Sequence, residues 1–168
     1  MPTDLETRLQ SQFGYQSFRP GQVEAIQSLL GGQHTLVVMP TGAGKSLVFQ
    51  FVAMQLPGLT LVISPLISLM KDQVDSLNRR RISATFVNSS LPLSEQKLRL
   101  QHLAAGKYRL VYIAPERLRS WPFIEALQSQ PVSLLAVDEA HCISEWGHDF
   151  RPDYLHLAQA RSALVLQG

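Results

Sequence analysis

Short runs of apolar residues recur along the chain, and segments with helical spacing of their apolar positions separate them. The runs are apolar at nearly every position rather than at every second one. Such runs are typical of strands that are covered on both faces, as in parallel sheets. We predict strands at Thr35–Met39, Leu59–Ile63, Ala84–Val87, Leu110–Ile113, Leu134–Val137 and Ala163–Leu166.

Helical patterns fill the segments around these strands. The first helix begins at Thr3, which has the capping-box spacing to Glu6, and Pro20 suits the first turn of the next helix. An amphipathic segment follows the fourth strand, with Pro122 as a candidate kink. We predict helices over 3–13, 20–30, 49–56, 65–79, 94–103, 115–127 and 155–160. The alternation of strands and helices predicts an α/β domain with a mostly parallel, doubly wound sheet.

The stretch LVVMPTGAGKSL at 36–47 joins a predicted strand to a predicted helix through a glycine-rich turn. Backbone N–H groups in such a turn bind phosphate together with the helix N-terminus. Lys45 would contact the β- and γ-phosphates, and Ser46 would hold Mg²⁺. Met39 stands where the general P-loop template has glycine, so an ordinary loop is the alternative interpretation. The position between strand and helix favours a nucleotide site, formed by Thr41, Gly42, Ala43, Gly44, Lys45 and Ser46.

Two acids, Asp138 and Glu139, follow the apolar fifth strand directly. An unpaired buried charge is unfavourable, so a cation or water is expected beside them. Asp138 would hold Mg²⁺ through water near Ser46, and Glu139 would orient and deprotonate the water that attacks the γ-phosphate. The alternative is that both acids cap the next helix. Because ligands bind at the carboxyl ends of parallel strands, we expect these acids and Lys45 to share one sheet edge.

Composition excludes several classes of protein. The chain has 168 residues and 45% hydrophobic content, which fit one globular domain. Its single cysteine, Cys142, excludes a disulfide framework or a cysteine-rich zinc site within this sequence, and we expect a cytoplasmic protein. No apolar run approaches the length of a membrane span. The net charge of +2 permits a nucleic-acid partner without requiring one, and the basic run 79–81 fits a solvated helix end or a nucleic-acid contact.

Asp138-Glu139-Ala140-His141 is the DEAH form of the second motif in superfamily-two helicases. The chain resembles RecQ-family DNA helicases further upstream, where that family's first motif is matched by Leu9, Phe13-Gly14, Phe18-Arg19, Gln22 and Ala25-Ile26. Met39 and Pro40 also agree with this family. The resemblance implies that Gln22 reads adenine and that Arg19 helps to hold the nucleotide, with Phe13 or Tyr15 stacking on the ring. The alternative is that Gln22 is an exposed helix residue. The resemblance also implies catalytic roles for Lys45, Asp138, Glu139 and His141.

Two further segments resemble the family's DNA-contacting motifs, SPLISLMKDQ at 64–73 and YIAPERL at 112–118. The segment 143–154 is similar to the aromatic-rich loop that couples single-stranded DNA to ATP hydrolysis. Its aromatic rings can stack on bases, and its arginine can contact phosphate. The resemblance therefore implies DNA contacts at Ser64, Lys71, Trp146, Phe150 and Arg151.

The family's third motif, second RecA-like domain with arginine fingers, zinc module and winged helix are not found in this sequence. We therefore expect residues 1–168 to be one RecA-like domain, the first half of a two-domain ATP-dependent motor that moves 3′ to 5′ on DNA. ATP and Mg²⁺ are the expected cofactors, DNA is the expected partner, and a monomer without zinc or membrane contact is expected. The alternatives are a non-motor module that binds nucleic acid or a protein partner, and a metabolic P-loop kinase in which 146–154 covers the substrate.

Overall fold

The predicted apolar segments form one parallel sheet in the computed structural model, which describes residues 3–40, 44–139 and 162–167. Within these residues the sheet has six strands: β1 (Thr35–Val38), β2 (Leu59–Ile63), β3 (Ala84–Val87), β4 (Leu110–Ile113), β5 (Val132–Val137) and β6 (Ser162–Gln167). The prediction of a parallel α/β sheet is confirmed. All five neighbouring pairs run parallel, with registers such as Leu61 beside Val111 on one side and Leu135 on the other.

The strand order is β1-β6-β5-β2-β4-β3. Strands β2 to β5 are buried at every position, as expected for parallel strands with helices on both faces. The end strand β1 differs, because Leu36 and Val38 are 63% and 68% exposed while Val37 is buried. The prediction that every strand is covered on both faces is therefore wrong for β1.

Helices cover the two faces of the sheet. Among the described residues they are α1 (Asp4–Phe13), α2 (Gln22–Leu30), α3 (Lys45–Gln55), α4 (Ile67–Arg79), α5 (Leu93–Ala104) and α6 (Trp121–Gln128), with a 3₁₀ turn at Pro115–Arg119. One apolar core lies between the sheet and α1 to α4, and a second lies between the sheet and α5, α6 and the 3₁₀ turn. Helix α3 is the central one, since it buries residues on nearly all sides, as expected for a helix that is apolar all round.

Local signals explain most helix boundaries. The capping box is confirmed: the Thr3 hydroxyl accepts a hydrogen bond from Glu6 N, and the Glu6 carboxylate accepts one from Thr3 N. Helix α2 begins at Gln22 rather than at Pro20, because Gly21 in the left-handed region (φ 88°) precedes it.

Pro122 does not kink a helix. It lies in the first turn of α6, where a missing backbone N–H is tolerated, and Ser120 separates that helix from the 3₁₀ turn. The helix predicted over 155–160 lies outside the described residues.

Candidate nucleotide site

Lys45 and Glu139 meet at the carboxyl edge of the sheet. Lys45 is the first residue of α3 and Glu139 follows β5, and the Lys45 Nζ and Glu139 Oε1 atoms lie 3.5 Å apart with both side chains mostly buried. The two strands concerned, β1 and β5, are separated only by β6. The expectation that Lys45 and the acids share one edge is confirmed. The carboxylate balances the charge of the partly buried ammonium.

The backbone after β5 holds the two acids in a defined arrangement. Asp138 N donates to the carbonyl of Ile63 at 2.8 Å, which extends the pairing of β5 with β2 by one residue. The Asp138 Oδ1 atom accepts a hydrogen bond from Glu139 N at 2.9 Å. Glu139 lies in the left-handed region with φ 56°, a conformation that is unfavourable for a residue with a side chain and is often retained at functional sites. The alternative that both acids cap a helix concerns residues after Glu139, which are not described.

Gln22 connects the segment before α2 to the start of α3. Its Oε1 atom accepts a hydrogen bond from Arg19 N at 2.8 Å, and its Nε2 atom donates to the carbonyl of Gly44 at 2.9 Å. Gln22 is only 1% exposed, so the alternative of an exposed helix residue is wrong. Both ends of the amide are used, which fixes its orientation beside the glycine-rich turn.

A cavity of about 370 Å³ lies between this segment and α3. Tyr15, at 49% exposure, lines it, whereas Phe13 is 2% exposed and packs in the core against Phe51. Of the two aromatic candidates for stacking on adenine, only Tyr15 is accessible. The cavity is lined by Tyr15, Ser17, Arg19, Gln22, Gly44, Lys45, Ser46 and Leu47.

The polar groups fit a hydrated magnesium ion better than a metal held by protein alone. No group of three or more His, Cys, Asp or Glu side chains that could hold a metal occurs in the described part of the chain. Mg²⁺ keeps several waters and needs only one or two protein oxygens together with substrate phosphates. Ser46, in the first turn of α3, and Asp138, after β5, are the oxygen donors that we predict for it.

The predicted DNA contacts are only partly described. Ser64 is 5% exposed, and its hydroxyl oxygen accepts a hydrogen bond from Leu66 N at 3.1 Å. Lys71 is exposed on α4 and donates to Asp75 Oδ2 at 2.6 Å, a hydrogen bond that raises the pKa of the Lys71 ammonium. The roles of both residues stay predictions. The remaining predicted site residues lie outside the described ranges: Thr41, Gly42, Ala43, His141, Trp146, Phe150 and Arg151.

The sequence did not indicate a buried hydrogen bond near Asp138, which joins Gln50 to Tyr112. Tyr112, on β4, is buried and accepts a hydrogen bond from Gln50 Nε2 at 3.0 Å. Burial raises the pKa of the Tyr112 hydroxyl well above its usual range, and the nearby Asp138 charge contributes in the same direction, so this hydroxyl stays protonated. In the sequence, a tyrosine within an apolar run indicates only a strand. Its hydroxyl lies near Asp138 because β2 alone separates β4 from β5, the strand that Asp138 follows.

A larger cavity, of about 670 Å³, runs along β1. Residues of β1, the two residues after it and residues at the start of α2 line this cavity, and its charged lining residues are Arg19 and Glu24. Lys45, Ser46 and the N-terminus of α3, which line the smaller cavity, do not line this one. The smaller cavity is therefore the candidate nucleotide site, because phosphate recognition depends on those groups.

Replacing Gly44 by alanine is expected to weaken nucleotide binding about tenfold or more. Gly44 has φ 83°, and an added Cβ would lie 2.5 Å from Gln22 Nε2. The side-chain amide of Gln22 would therefore have to move away from the glycine-rich turn. Gly106→Ala is the matched control. Gly106 has a similar φ of 73°, but a Cβ added there would lie 3.8 Å from its nearest neighbour, Gln130 Oε1, which is ordinary contact. Both variants should lose about 1–2 kcal/mol of stability from the left-handed backbone. Equal nucleotide affinity of the two variants would show that the position of Gln22 does not matter.

Comparisons with known proteins show the family of this chain. A family model described as DEAD/DEAH box helicase matches residues 19–166. The ATP-dependent DNA helicase RecQ of Haemophilus influenzae is 51% identical over 162 residues, which are 96% of this chain and 26% of that protein. The corresponding protein of Bacillus subtilis is 53% identical over 146 residues, or 86% of this chain and 25% of that protein. This chain thus spans about a quarter of the length of these curated relatives.

A solved structure supports the fold. The crystal structure of a hypothetical ATP-dependent RNA helicase from Sulfolobus tokodaii has a TM-score of 0.72 to this chain and is 21% identical in sequence. The match covers 99% of this chain and 50% of that one. At this identity the likeness concerns the fold alone.

No helix in the described ranges is long and apolar enough to span a bilayer.

Proposed function

Because the chain belongs to the DEAD/DEAH box helicase family, we propose that residues 1–168 form the first RecA-like, ATP-binding domain of a RecQ-like DNA helicase. In the whole protein this domain couples ATP hydrolysis to 3′ to 5′ movement on DNA. The observation that carries the proposal is the 3.5 Å contact between Lys45 and Glu139, because it brings the two halves of a phosphate site together. We also propose that the protein acts where DNA is present and that it is a monomer.

The proposed mechanism starts from the exchange of partners by Lys45. Phosphate oxygens of ATP take the place of Glu139 beside the ammonium, while the N-terminus of α3 and Gly44 bind the phosphates through backbone N–H groups. Glu139, released from Lys45, accepts a proton from the attacking water while the water oxygen bonds to the γ-phosphorus. The bond between that phosphorus and the bridging oxygen breaks, and ADP leaves. Ser46 and Asp138 would hold Mg²⁺, which would supply positive charge beside the phosphates. Gln22 and Tyr15 orient the adenine, and Arg19 and His141 complete the set of predicted nucleotide residues.

This domain provides one wall of the site. Phosphoryl transfer in such motors also uses an arginine that approaches the γ-phosphate from another domain or subunit, and its contribution is about 10³ to 10⁵ in rate. We therefore expect residues 1–168 alone to bind MgATP and to hydrolyse it slowly. The DNA contacts proposed for Ser64, Lys71, Trp146, Phe150 and Arg151 would raise this rate when single-stranded DNA is present.

Hydrolysis of ATP by the 168-residue chain, measured with and without single-stranded DNA, tests the proposal. We expect Mg²⁺-dependent nucleotide binding and a slow turnover that DNA stimulates. DNA or partner binding without any turnover would favour a non-motor module. Turnover that ignores DNA but rises with a small-molecule acceptor would favour a P-loop kinase. Failure to bind nucleotide at all would contradict the proposed site.

A further inference from the structure

The sheet edge opposite the nucleotide site carries an uneven charge. Four loops precede β2, β3, β4 and β5 there, at 56–58, 80–83, 105–109 and 129–131. They contain four arginine or lysine residues and no aspartate or glutamate, although the whole chain has a net charge of only +2. Between them lies a cavity of about 500 Å³ with a mostly polar lining. We call it the basic pocket, and its polar lining includes Arg81, Ser83, Lys107, Tyr108, Arg109 and Gln130.

The structure separates two arginines, Arg80 and Arg81, that are neighbours in one basic run of the sequence. Arg80 turns away from the basic pocket, donates to the carbonyl of Phe13 and lies 5.5 Å from the Tyr15 ring centre. Arg81 lines the basic pocket together with Lys107. In the described part of the chain neither of these two side chains has a hydrogen bond or an ion pair. Two cations therefore face the basic pocket without a partner from the described residues.

Hydrogen bonds between the loops hold the basic pocket in shape. Ser83 Oγ donates to the carbonyl of Lys107 at 2.7 Å, and Arg109 Nη1 donates to the carbonyl of Leu56 at 2.9 Å. Gln130 Nε2 donates to the carbonyl of Leu103. Each bond joins one loop to a neighbouring loop or helix end. The cations are therefore carried by a preformed frame, which lowers the entropy lost when a ligand orders them.

The backbone at Arg81 is a second, independent sign of use. Arg81 has φ 64°, and it and Glu139 are the two non-glycine residues with positive φ in the described part of the chain. It follows the C-cap of α4 in a complete Schellman motif, with Arg81 N donating to Asn78 O and Ile82 N donating to Leu77 O, both at 3.0 Å. Glycine is strongly preferred at this position because it has no Cβ. Arginine at this position makes the backbone conformation unfavourable, as glutamate does at Glu139. Because glycine would avoid this strain, the strain points to a use for the arginine side chain.

We propose that the basic pocket binds a phosphate group of a nucleic-acid backbone. The inference rests on the proposed function, which supplies the nucleic acid, and adds a contact on the edge of the sheet opposite the nucleotide site. The Arg81 guanidinium suits the paired oxygens of a phosphate, and the Lys107 ammonium adds a second charge. An acidic peptide would need apolar recesses for its other side chains, and the mostly polar lining offers few.

The variants Arg81→Gly and Lys107→Gln, made separately in the 168-residue chain, test this proposal with fluorescein-labelled oligo-dT as the probe. Each should weaken oligo-dT binding about threefold to tenfold at about 50 mM salt and lower the slope of log affinity against log salt by about 0.7, the value for one lost phosphate contact on a single strand. Arg81→Gly should also raise the Tm by about 2–4 °C, because it relieves the left-handed strain. A residue with only a structural role would not combine higher stability with weaker binding.

Lys97→Gln is the charge-matched control, since Lys97 is exposed on α5 and does not line the basic pocket. It should leave oligo-dT affinity within about twofold of the wild type. MgATP affinity should be unchanged in all three variants, so failure of the nucleotide site and failure of the basic pocket are read separately. Wild-type oligo-dT affinity in both pocket variants overturns the proposal, and so does a wild-type chain that does not bind oligo-dT. Selective loss of poly-glutamate binding also overturns it, in favour of an acidic protein partner.

Discussion

Lys45→Ala is expected to weaken MgATP binding by about 100-fold or more. The substitution removes the charged hydrogen-bond donor to the phosphates, an interaction of about 1.5–3 kcal/mol. It also removes the positive charge that offsets repulsion between the incoming phosphates and Glu139, whose Oε1 lies 3.5 Å from Lys45 Nζ. The like charges then repel, which adds to the loss. Titration of a fluorescent ATP analogue, with and without Mg²⁺, measures the effect.

Two further variants separate the contributions to this loss. Lys45→Ala combined with Glu139→Gln removes both charges, so it should recover part of the affinity that Lys45→Ala loses. Lys97→Ala, which removes an exposed lysine from α5, should bind MgATP like the wild type. If Lys45→Ala binds as tightly as Lys97→Ala, the phosphates do not lie at the start of α3 and the assignment of the site is wrong.

Phe51→Ala is expected to lower the free energy of unfolding by about 3–5 kcal/mol, the usual range for truncating a buried aromatic residue. Phe51 lies on α3 and is fully buried. Its ring centre is 6.2 Å from that of Phe13 and 5.2 Å from that of Phe18, the latter in an edge-to-face arrangement. Truncation would leave a cavity between α3 and the segment that carries Arg19 and Gln22. Urea denaturation at 25 °C measures the change.

Trp121→Ala is the control for size. Trp121 is also aromatic, but it is 63% exposed at the start of α6, so its truncation should change stability by less than about 1 kcal/mol. Phe51→Ala should also reduce nucleotide affinity, because Phe18 directly precedes Arg19. A loss of stability at Phe51 no larger than that at Trp121 would mean that the aromatic contacts do not fasten this segment to α3.

The placement of the candidate nucleotide residues at one sheet edge was predictable because its signals are local. Lys45 and Ser46 stand between an apolar strand and a helix, and Asp138 and Glu139 directly follow another apolar strand. In a parallel sheet such positions lie at the carboxyl edge whatever the strand order. The periodicity therefore sufficed to place these residues at one edge, and the 3.5 Å contact agrees.

Contacts between distant segments were not predictable in the same way. The spacing of residues that matches a helicase motif singled out Gln22, yet its bonds to Arg19 and Gly44 depend on how the chain before α2 folds onto α3. The same packing turns Phe13 into the core and leaves Tyr15 at the cavity, a choice that the sequence left open. The packing of Phe13 against Phe51, on a helix far away in the sequence, encloses the first of these rings.

The sequence by itself determined the class of fold, the strands and the chemistry at their carboxyl ends, because side-chain periodicity and glycine, proline and capping signals act within a few residues. The tertiary structure decided the strand order, which places only β6 between β1 and β5, and left Leu36 and Val38 exposed. It also directed Arg80 to Phe13 and Tyr15 and Arg81, its neighbour in the same arginine run, to the basic pocket. These outcomes depend on free energies summed over residues far apart in the chain, which no local pattern contains.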